Sequence, residues 1–372
     1  LNDHIHIICL DSPAPPDYGG AIDMYYKIQA LAEIGKKITL HYFEYNRSRN
    51  IEAIIPYCEK IYSYKRNRHS GYKLNQPHIV ASRINNELIE RLNKDDHPIL
   101  AEGIHCTGII PFLNNKNRKI IVRVHNNEAI YYLHLADTET NLMKKSYFLR
   151  ESKLLKHYQL SLPHYVQYAC LSHKDKAVFK TEYNLPKVEF LPCFIPWQEV
   201  TSYTGIGRYC LYHGNMVVSE NSKAAEWLIQ NVFSSLTVPF IIAGKGISSR
   251  IKSLTKKHSH IQLIDSPNNE EMDELIRNAH INILPSMNKT GVKLKLLHAL
   301  IEGRFCITNN AGVNGSGLEE FVEVAETAEL ITEKIRNLYD MPFTQLHQQE
   351  RKTIVSDLYN NKKNAQLLNA SL

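Results

Sequence analysis

The chain has 372 residues, 43% apolar and 22% charged, with a formal net charge of +6. That composition excludes a disordered chain, and the length exceeds what one hydrophobic core serves, so two domains are expected. The mild positive charge suits an anionic ligand or membrane surface, while no nucleic-acid motif and no run of about 18 apolar residues is present.

The seven cysteines are Cys9, Cys58, Cys106, Cys170, Cys193, Cys210 and Cys306, an odd number without a CxxC pair. Several lie in apolar runs, as expected of buried free thiols in a reducing compartment. The chain opens as a strand with no signal-like segment, which suggests a cytoplasmic enzyme.

In chain order, HIHIICL reads as a buried strand. DSPAPPDYGG is a proline- and glycine-rich loop, and AIDMYYKIQALAEI is a helix that Gly35 ends. KITLHYF is the second strand, which makes a strand–glycine loop–helix–strand unit and implies parallel strands. HPILAEG, KIIVRVH, YVQYACLS and VEFLPCF continue the pattern through about residue 195. Periodicity lapses near residues 194–207, the expected hinge. A second series spans about 208–345: RYCLYHG, VPFIIAG, HIQLID, HINILPS and RFCIT, with helical segments between them and FVEVAE as a further short strand. The polar stretch 327–370 reads as one or two helices, of which 346–372 returns to the first domain. The fold class is α/β, two Rossmann-like domains facing across a cleft, with ligands expected at the C-terminal ends of the strands.

TGVKLKLLHAL, residues 290–300, follows the strand INILPS. Thr290 is a plausible N-cap, and the amides of Gly291, Val292 and Lys293 would form the helix's first turn. Such a terminus attracts anions, and Lys293 would reinforce it. Lys295 points elsewhere unless the helix starts late. An ordinary capped helix with solvated lysines is the plain alternative. The glycines of NNAGVNGSG, which follow the next strand, favour the anion site, because two loops with accessible amides suit a diphosphate. Lys245, in IIAGKG, stands at another strand end, as a second cation of that site or as a turn lysine.

Three segments resemble, in order, the donor half of retaining glycosyltransferases of the GT-B fold, family 4-like. They are YHGNMVVSENSKAAEWL, IIAGKG and INILPSMNKTGVKLKLLHALIEGRFCITNNAGVNGSG. APPDYGGAIDMYYKIQALAEIGKKITL is similar to the family's opening strand and double-glycine loop, and IIVRVHNNEAIYY to its histidine-containing acceptor-side loop. The resemblance implies transfer of a sugar from a nucleoside-diphosphate sugar, UDP or GDP favoured, to a saccharide or lipid-linked acceptor. It implies no cofactor and no metal. It carries Gly19 and Gly20 to the donor phosphates, His125 to the reacting sugar, and Lys245 and Lys293 to the diphosphate. Gly214, Gly244, Thr290, Gly291, Val292, His298 and Gly315 are carried to the donor site, and Glu128 to the acceptor side.

The sequence departs from the family's paired glutamates, which correspond here to Thr290 and His298. A neutral histidine has one acceptor and one donor, so it cannot take both ribose hydroxyls as a glutamate does. Glu102, in ILAEGIHC, either lines the acceptor side or serves as a structural cap. A metal site of Glu102, His105, Cys106 and His125 matches no closed zinc spacing. Asp95–Asp96 reads as solvated loop charge. Residues 57–73 mix tyrosines with basic residues, as a mobile loop or a contact to an anionic membrane or lipid diphosphate. The helical stretch 131–165 is placed beside the acceptor groove. The rival readings are an inactive GT-B domain binding nucleotide or glycan, and a nucleotide-sugar epimerase. A dehydrogenase is disfavoured because the first glycine loop is not GxGxxG.

Overall fold

The structure, a computed structural model, describes residues 3–45, 49–67, 75–288 and 290–372. The chain divides into two units between Pro196 and Trp197, and Tyr359–Leu372 belongs with the first.

The first unit holds β1 (His4–Cys9), β2 (Lys37–Glu44), β3 (Lys60–Lys65), β4 (Ile99–Glu102), β5 (Ile120–Val124), β6 (Gln167–Cys170) and β7 (Val188–Phe190). Its helices are α1 (Gly19–Glu33), α2 (His78–Ala81), α3 (Asn86–Leu92), α4 (Glu128–Thr138), α5 (Leu142–Leu160) and α6 (His173–Thr181). The strands run parallel in the order β3-β2-β1-β4-β5-β6-β7. Strands covered on both faces read as unbroken apolar runs. In β1, Ile5, Ile7 and Cys9 pack with Met24, Ile28 and Leu31 of α1, whereas Ile8 joins the opposite core with Leu88, Leu155 and Phe179. α1 closes in a Schellman turn: Lys36 N donates to Leu31 O and Gly35 N to Ala32 O, with Gly35 at φ +91°. Residues 60–65 of the stretch read as a loop form β3, the sheet's edge strand; 68–73 lie outside the described residues.

The second unit holds β8 (Cys210–His213), β9 (Phe240–Gly244), β10 (Ile261–Asp265), β11 (Ile281–Ile283), β12 (Phe305–Thr308) and β13 (Glu323–Val324). Its helices are α7 (Ser219–Asn231), α8 (Ser249–Thr255), α9 (Asn269–Asn278), α10 (Leu294–Glu302), α11 (Asn310–Val313), α12 (Ala328–Tyr339) and α13 (Gln345–Thr353). This sheet is also parallel, in the order β10-β9-β8-β11-β12-β13.

The polar tail contains more elements than its composition suggested: α12, α13, a π-helical turn at Ile354–Leu358, and α14 (Asn361–Ser371). Arg351 ties α13 to the end of α10 by donating to Leu300 O at 2.9 Å and Gly303 O at 2.7 Å. In the first unit, Ala365 and Leu368 of α14 enter the core that α1 shares. Each sheet reverses its strand order once, at β1/β4 and at β8/β11, and such reversals are where open α/β sheets take ligands.

Candidate functional site

In the first unit the C-terminal ends of β1, β4 and β5 surround the start of α1. That start has Tyr18 as N-cap, no side-chain capping bond and no acidic residue in its first turn. Its dipole and leading amides therefore suit an anion. Gly19 and Gly20 are its first two residues. A Cβ at Gly20 would lie 3.0 Å from the Tyr18 ring and 3.9 Å from His125 Nδ1, so glycine keeps the histidine's outer nitrogen close to the helix start.

His125 follows β5 and is nearly buried. Its Nε2 lies 2.8 Å from Glu102 Oε2. An ionised carboxylate only accepts, so Nε2 carries the proton and Nδ1 is the acceptor in the neutral ring. Glu102 is fully buried, with Lys27 Nζ 2.9 Å from Oε1 and 3.0 Å from Oε2. Lys27 also donates to Asp23 at 2.7 Å, and Arg123 reaches Asp23 at 3.1 and 3.2 Å. Phe194 N closes the set on Asp23 Oδ1 at 2.8 Å. Burial opposes the charge on Asp23, but Arg123, Lys27 and His125 outweigh it and hold its carboxyl well below the usual range. Glu102 is lowered in the same way, by Lys27 and His125 against its burial.

Glu102 therefore does not line an acceptor surface. It orients His125 from behind, because a carboxylate without solvent contact cannot touch an acceptor. Asp23, Lys27 and Arg123 went unnoticed in the sequence. Their signal was charge on the otherwise apolar face of α1 and inside the apolar strand IIVRV. Asp23, Glu102 and His125 bring three ligand-type atoms within 4.8 Å of one another, but Lys27 already neutralises this group. Cys106 is buried and His105 half-buried, and desolvation holds the imidazole of His105 well below its usual range. Glu128, the first residue of α4, is also buried, which raises its carboxyl to about 8. At neutral pH it is a protonated acid able to donate a hydrogen bond. Asp95 is not merely solvated: it accepts from His6 at 3.1 Å and Arg118 at 3.0 Å.

In the second unit the ends of β8 and β9 touch. Gly244 has φ +151°, and a Cβ there would lie 1.8 Å from Gly214 O, so only glycine fits this seam. Met216 N donates to Lys245 O at 2.9 Å, and the Lys245 side chain is exposed.

The helix after β11 starts later than the sequence suggested, at Leu294, with Lys293 as its N-cap. Thr290 does not cap it, because Asn288 Oδ1 accepts from both Thr290 N and Oγ1 at 2.8 Å. The amides of Gly291, Val292 and Lys293 thus precede the helix, with Gly291 at φ +67°. Lys293 Nζ donates to Thr290 O.

The late start turns Lys295 inward. Its Nζ lies 3.1 Å from Asn221 Oδ1 and 5.0 Å from the Tyr212 ring centroid. Asn221 in turn donates to Asn215 O at 2.9 Å, and its amide would lie 3.3 Å from a Cβ at Gly214. Lys295 is thereby linked to the glycine seam. Burial, then the charge of Lys293, lower its pKa to about 8. Among the described residues it forms no salt bridge, so it remains a cation with no anionic counterpart in hydrogen-bond reach.

His298 is stacked on Trp197, with centroids 4.1 Å apart and planes 16° apart. Its Nε2 lies 2.9 Å from Asp273 Oδ1 and 3.6 Å from Glu302 Oε2. Burial would lower its pKa, but Asp273 and Glu302 outweigh burial and raise it. The histidine expected at the donor site instead sits between two carboxylates that favour its protonated form. These three also form a metal-type cluster within 4.8 Å, with Arg277 Nε 3.4 Å from Glu302 Oε2. The Gly315 amide is likewise occupied, donating to Glu319 Oε1 at 2.8 Å.

Residues 207–341 match the family model described as glycosyl transferases group 1. The match lies within the second unit, which is similar to the group 1 glycosyltransferases. The chain's fold is GT-B. Sucrose-phosphate synthase from Thermosynechococcus elongatus is similar at TM-score 0.72 and 14% identity, covering 99% of this chain and 97% of that one. An S. aureus TarM variant, solved with Fondaparinux, alpha-GlcNAc-glycerol and UDP, is similar at TM-score 0.68 and 11% identity, covering 99% of each. In sequence, an "Uncharacterized 44.6 kDa protein in cps region" of Klebsiella pneumoniae is 26% identical over 338 residues, 84% of each chain. No described helix of this chain is long and apolar enough to cross a membrane.

Proposed function

We propose that this protein is a glycosyltransferase that moves a sugar from a nucleoside-diphosphate sugar to a saccharide or lipid-linked acceptor in surface polysaccharide or glycolipid synthesis. The anomeric configuration is retained and no metal takes part. The first unit serves the acceptor side and the second the donor. The capsule-region description of the Klebsiella relative supports the pathway class, and UDP in the TarM complex favours UDP as the carrier.

The observation that carries the reading is Lys295, a partly buried cation joined through Asn221 to the Gly214–Gly244 seam. A diphosphate supplies the missing negative charge. Lys293 and the exposed Lys245 add positive charge as the nucleoside diphosphate leaves, and such groups act most strongly where water is scarce. Gly291, Val292 and the seam glycines let backbone approach the phosphates. His125 presents Nδ1 to a donor hydroxyl or the acceptor, with Glu102 fixing its ring. The leaving phosphate oxygen takes the acceptor's proton, so no protein nucleophile is required. Glu128 shapes the acceptor pocket as a neutral acid.

The test is a panel of UDP- and GDP-sugars offered with saccharide and polyprenyl-phosphate acceptors. Release of one nucleoside diphosphate, with a product whose anomeric proton coupling matches the donor's, supports the proposal. An inverted product contradicts retention. A nucleotide that binds without turnover on any sugar favours the inactive-domain reading.

A further inference from the structure

α9 and α10 of the second unit bring three metal-ligating side chains together. His298 and Glu302 stand four residues apart on α10 and therefore share a face of that helix. Asp273 comes from the middle of α9 and meets them there. One imidazole nitrogen and two carboxylate oxygens from these residues all lie within 4.8 Å of one another. His298 and Glu302 are only 8% and 7% exposed, and Asp273 is half-buried, so this is not a patch of solvated surface charge.

The hydrogen bonding of the trio is incomplete. His298 Nε2 and Glu302 Oε2 are shielded from solvent, and among the described residues neither has an aligned hydrogen-bond partner. Asp273 Oδ1 is 2.9 Å from Nε2, close enough to attract it, but off the line along which a ring nitrogen bonds. Arg277 does not complete Glu302 either. Its Nε lies 3.4 Å from Oε2 but gives its hydrogen to Asp273 O at 3.3 Å. Buried polar atoms left in this state call for a further partner.

Charge and ligand type say which partner fits. Two carboxylates face one guanidinium, which leaves one negative charge over. A proton on His298 would balance it but would sit on one nitrogen only. A divalent cation balances it and takes the nitrogen and both oxygens as ligands. One nitrogen and two oxygens suit zinc and its first-row neighbours, whereas magnesium prefers oxygen alone. Trp197, stacked on the His298 ring at 4.1 Å, holds the plane of that ligand. The comparable trio of the first unit differs, because Lys27 already bonds both of its carboxylates.

We infer that Asp273, His298 and Glu302 bind a divalent transition-metal ion, zinc being the best match, that clamps α9 to α10. The ion takes no part in the transfer step. Its binding is independent of the donor-site reading, because it requires neither nucleotide nor turnover.

The full chain, stripped with a chelator, is titrated with Zn2+, Co2+ and Mg2+ by calorimetry. One Zn2+ per chain should bind and raise the thermal unfolding midpoint, while Mg2+ gives no signal. Co2+ should produce the visible absorption of a protein-ligated ion, and His298→Ala should remove it. Asp273→Asn and Glu302→Gln keep the side-chain shape and delete one ligand charge. Each should weaken Zn2+ binding by at least about tenfold, which separates this trio from the chain's other histidines and its thiols. An unfolding transition recorded in chelator shows that each variant folds, and the two amide variants carry the test if His298→Ala does not. A stripped wild type that takes up neither Zn2+ nor Co2+ overturns the proposal. So does wild-type Zn2+ affinity in both amide variants.

Discussion

The two units treat buried charge in opposite ways. In the first, Asp23, Lys27, Glu102 and Arg123 neutralise one another, and His125 keeps its Nδ1 beside the start of α1. In the second, Lys295 sits partly buried beside Lys293 with an amide and an aromatic ring for company. A closed set fixes geometry; an open one waits for a ligand. The same sheet architecture thus holds a closed ion network in one unit and, in the proposed function, an anion site in the other.

Breaking the closed set should have the largest effect. Lys27→Met leaves Asp23 and Glu102 short of a counter-charge, and losing one partner of a buried pair costs about 3–5 kcal/mol. Chemical denaturation should show this loss. Unchanged stability would mean that the network is not held as described. His125→Ala should preserve folding and nucleotide binding while lowering transfer by about 100-fold or more, the range of a positioned proton-handling or hydrogen-bonding group.

The open set should respond to pH. Lys295 titrates near 8, and a bound diphosphate raises that value by favouring the charged form. Affinity is then highest below pH 8 and falls by up to about tenfold per pH unit above it. Binding near pH 8–9 should take up a proton, visible as a calorimetric enthalpy that varies with the buffer. Lys295→Arg should flatten the profile.

The smallest effect is predicted for the histidine chain at β1–β3. Tyr64 OH, His41, His6 and Asp95 are linked at 2.9, 2.9 and 3.1 Å. Burial lowers both imidazoles, that of His41 to about 3, so the unfolded chain binds protons more readily than the folded one. Their stabilisation is complete above about pH 6.5 and is lost as pH falls toward 3. The unfolding midpoint should therefore drop below pH 6.5, and His41→Phe should blunt the slope. A midpoint that rises on acidification would contradict this sign.

Much of the fold was legible because short apolar runs alternate with glycine and with helical periodicity. HIHIICL, VPFIIAG and RFCIT became strands for that reason. The start of α10 was not legible. Thr290–Gly291 looks like a cap, but Asn288, two residues earlier, takes Thr290's amide and hydroxyl. That delay decides which lysine faces the seam, so Lys293 was singled out and Lys295 set aside. His298 failed for a different reason: its partners Trp197 and Asp273 are distant in sequence, and their charge and stacking do not show in local spacing.

The central claim is a division of labour: the second unit binds the diphosphate through Lys295, while His125 serves the reacting sugar. Titration calorimetry with UDP and GDP on the wild type, Lys295→Met and His125→Ala tests it most directly. One diphosphate should bind the wild type and His125→Ala comparably and Lys295→Met at least about tenfold more weakly, a loss of about 1.4 kcal/mol. Full affinity in Lys295→Met, or loss of binding in His125→Ala, would contradict the account.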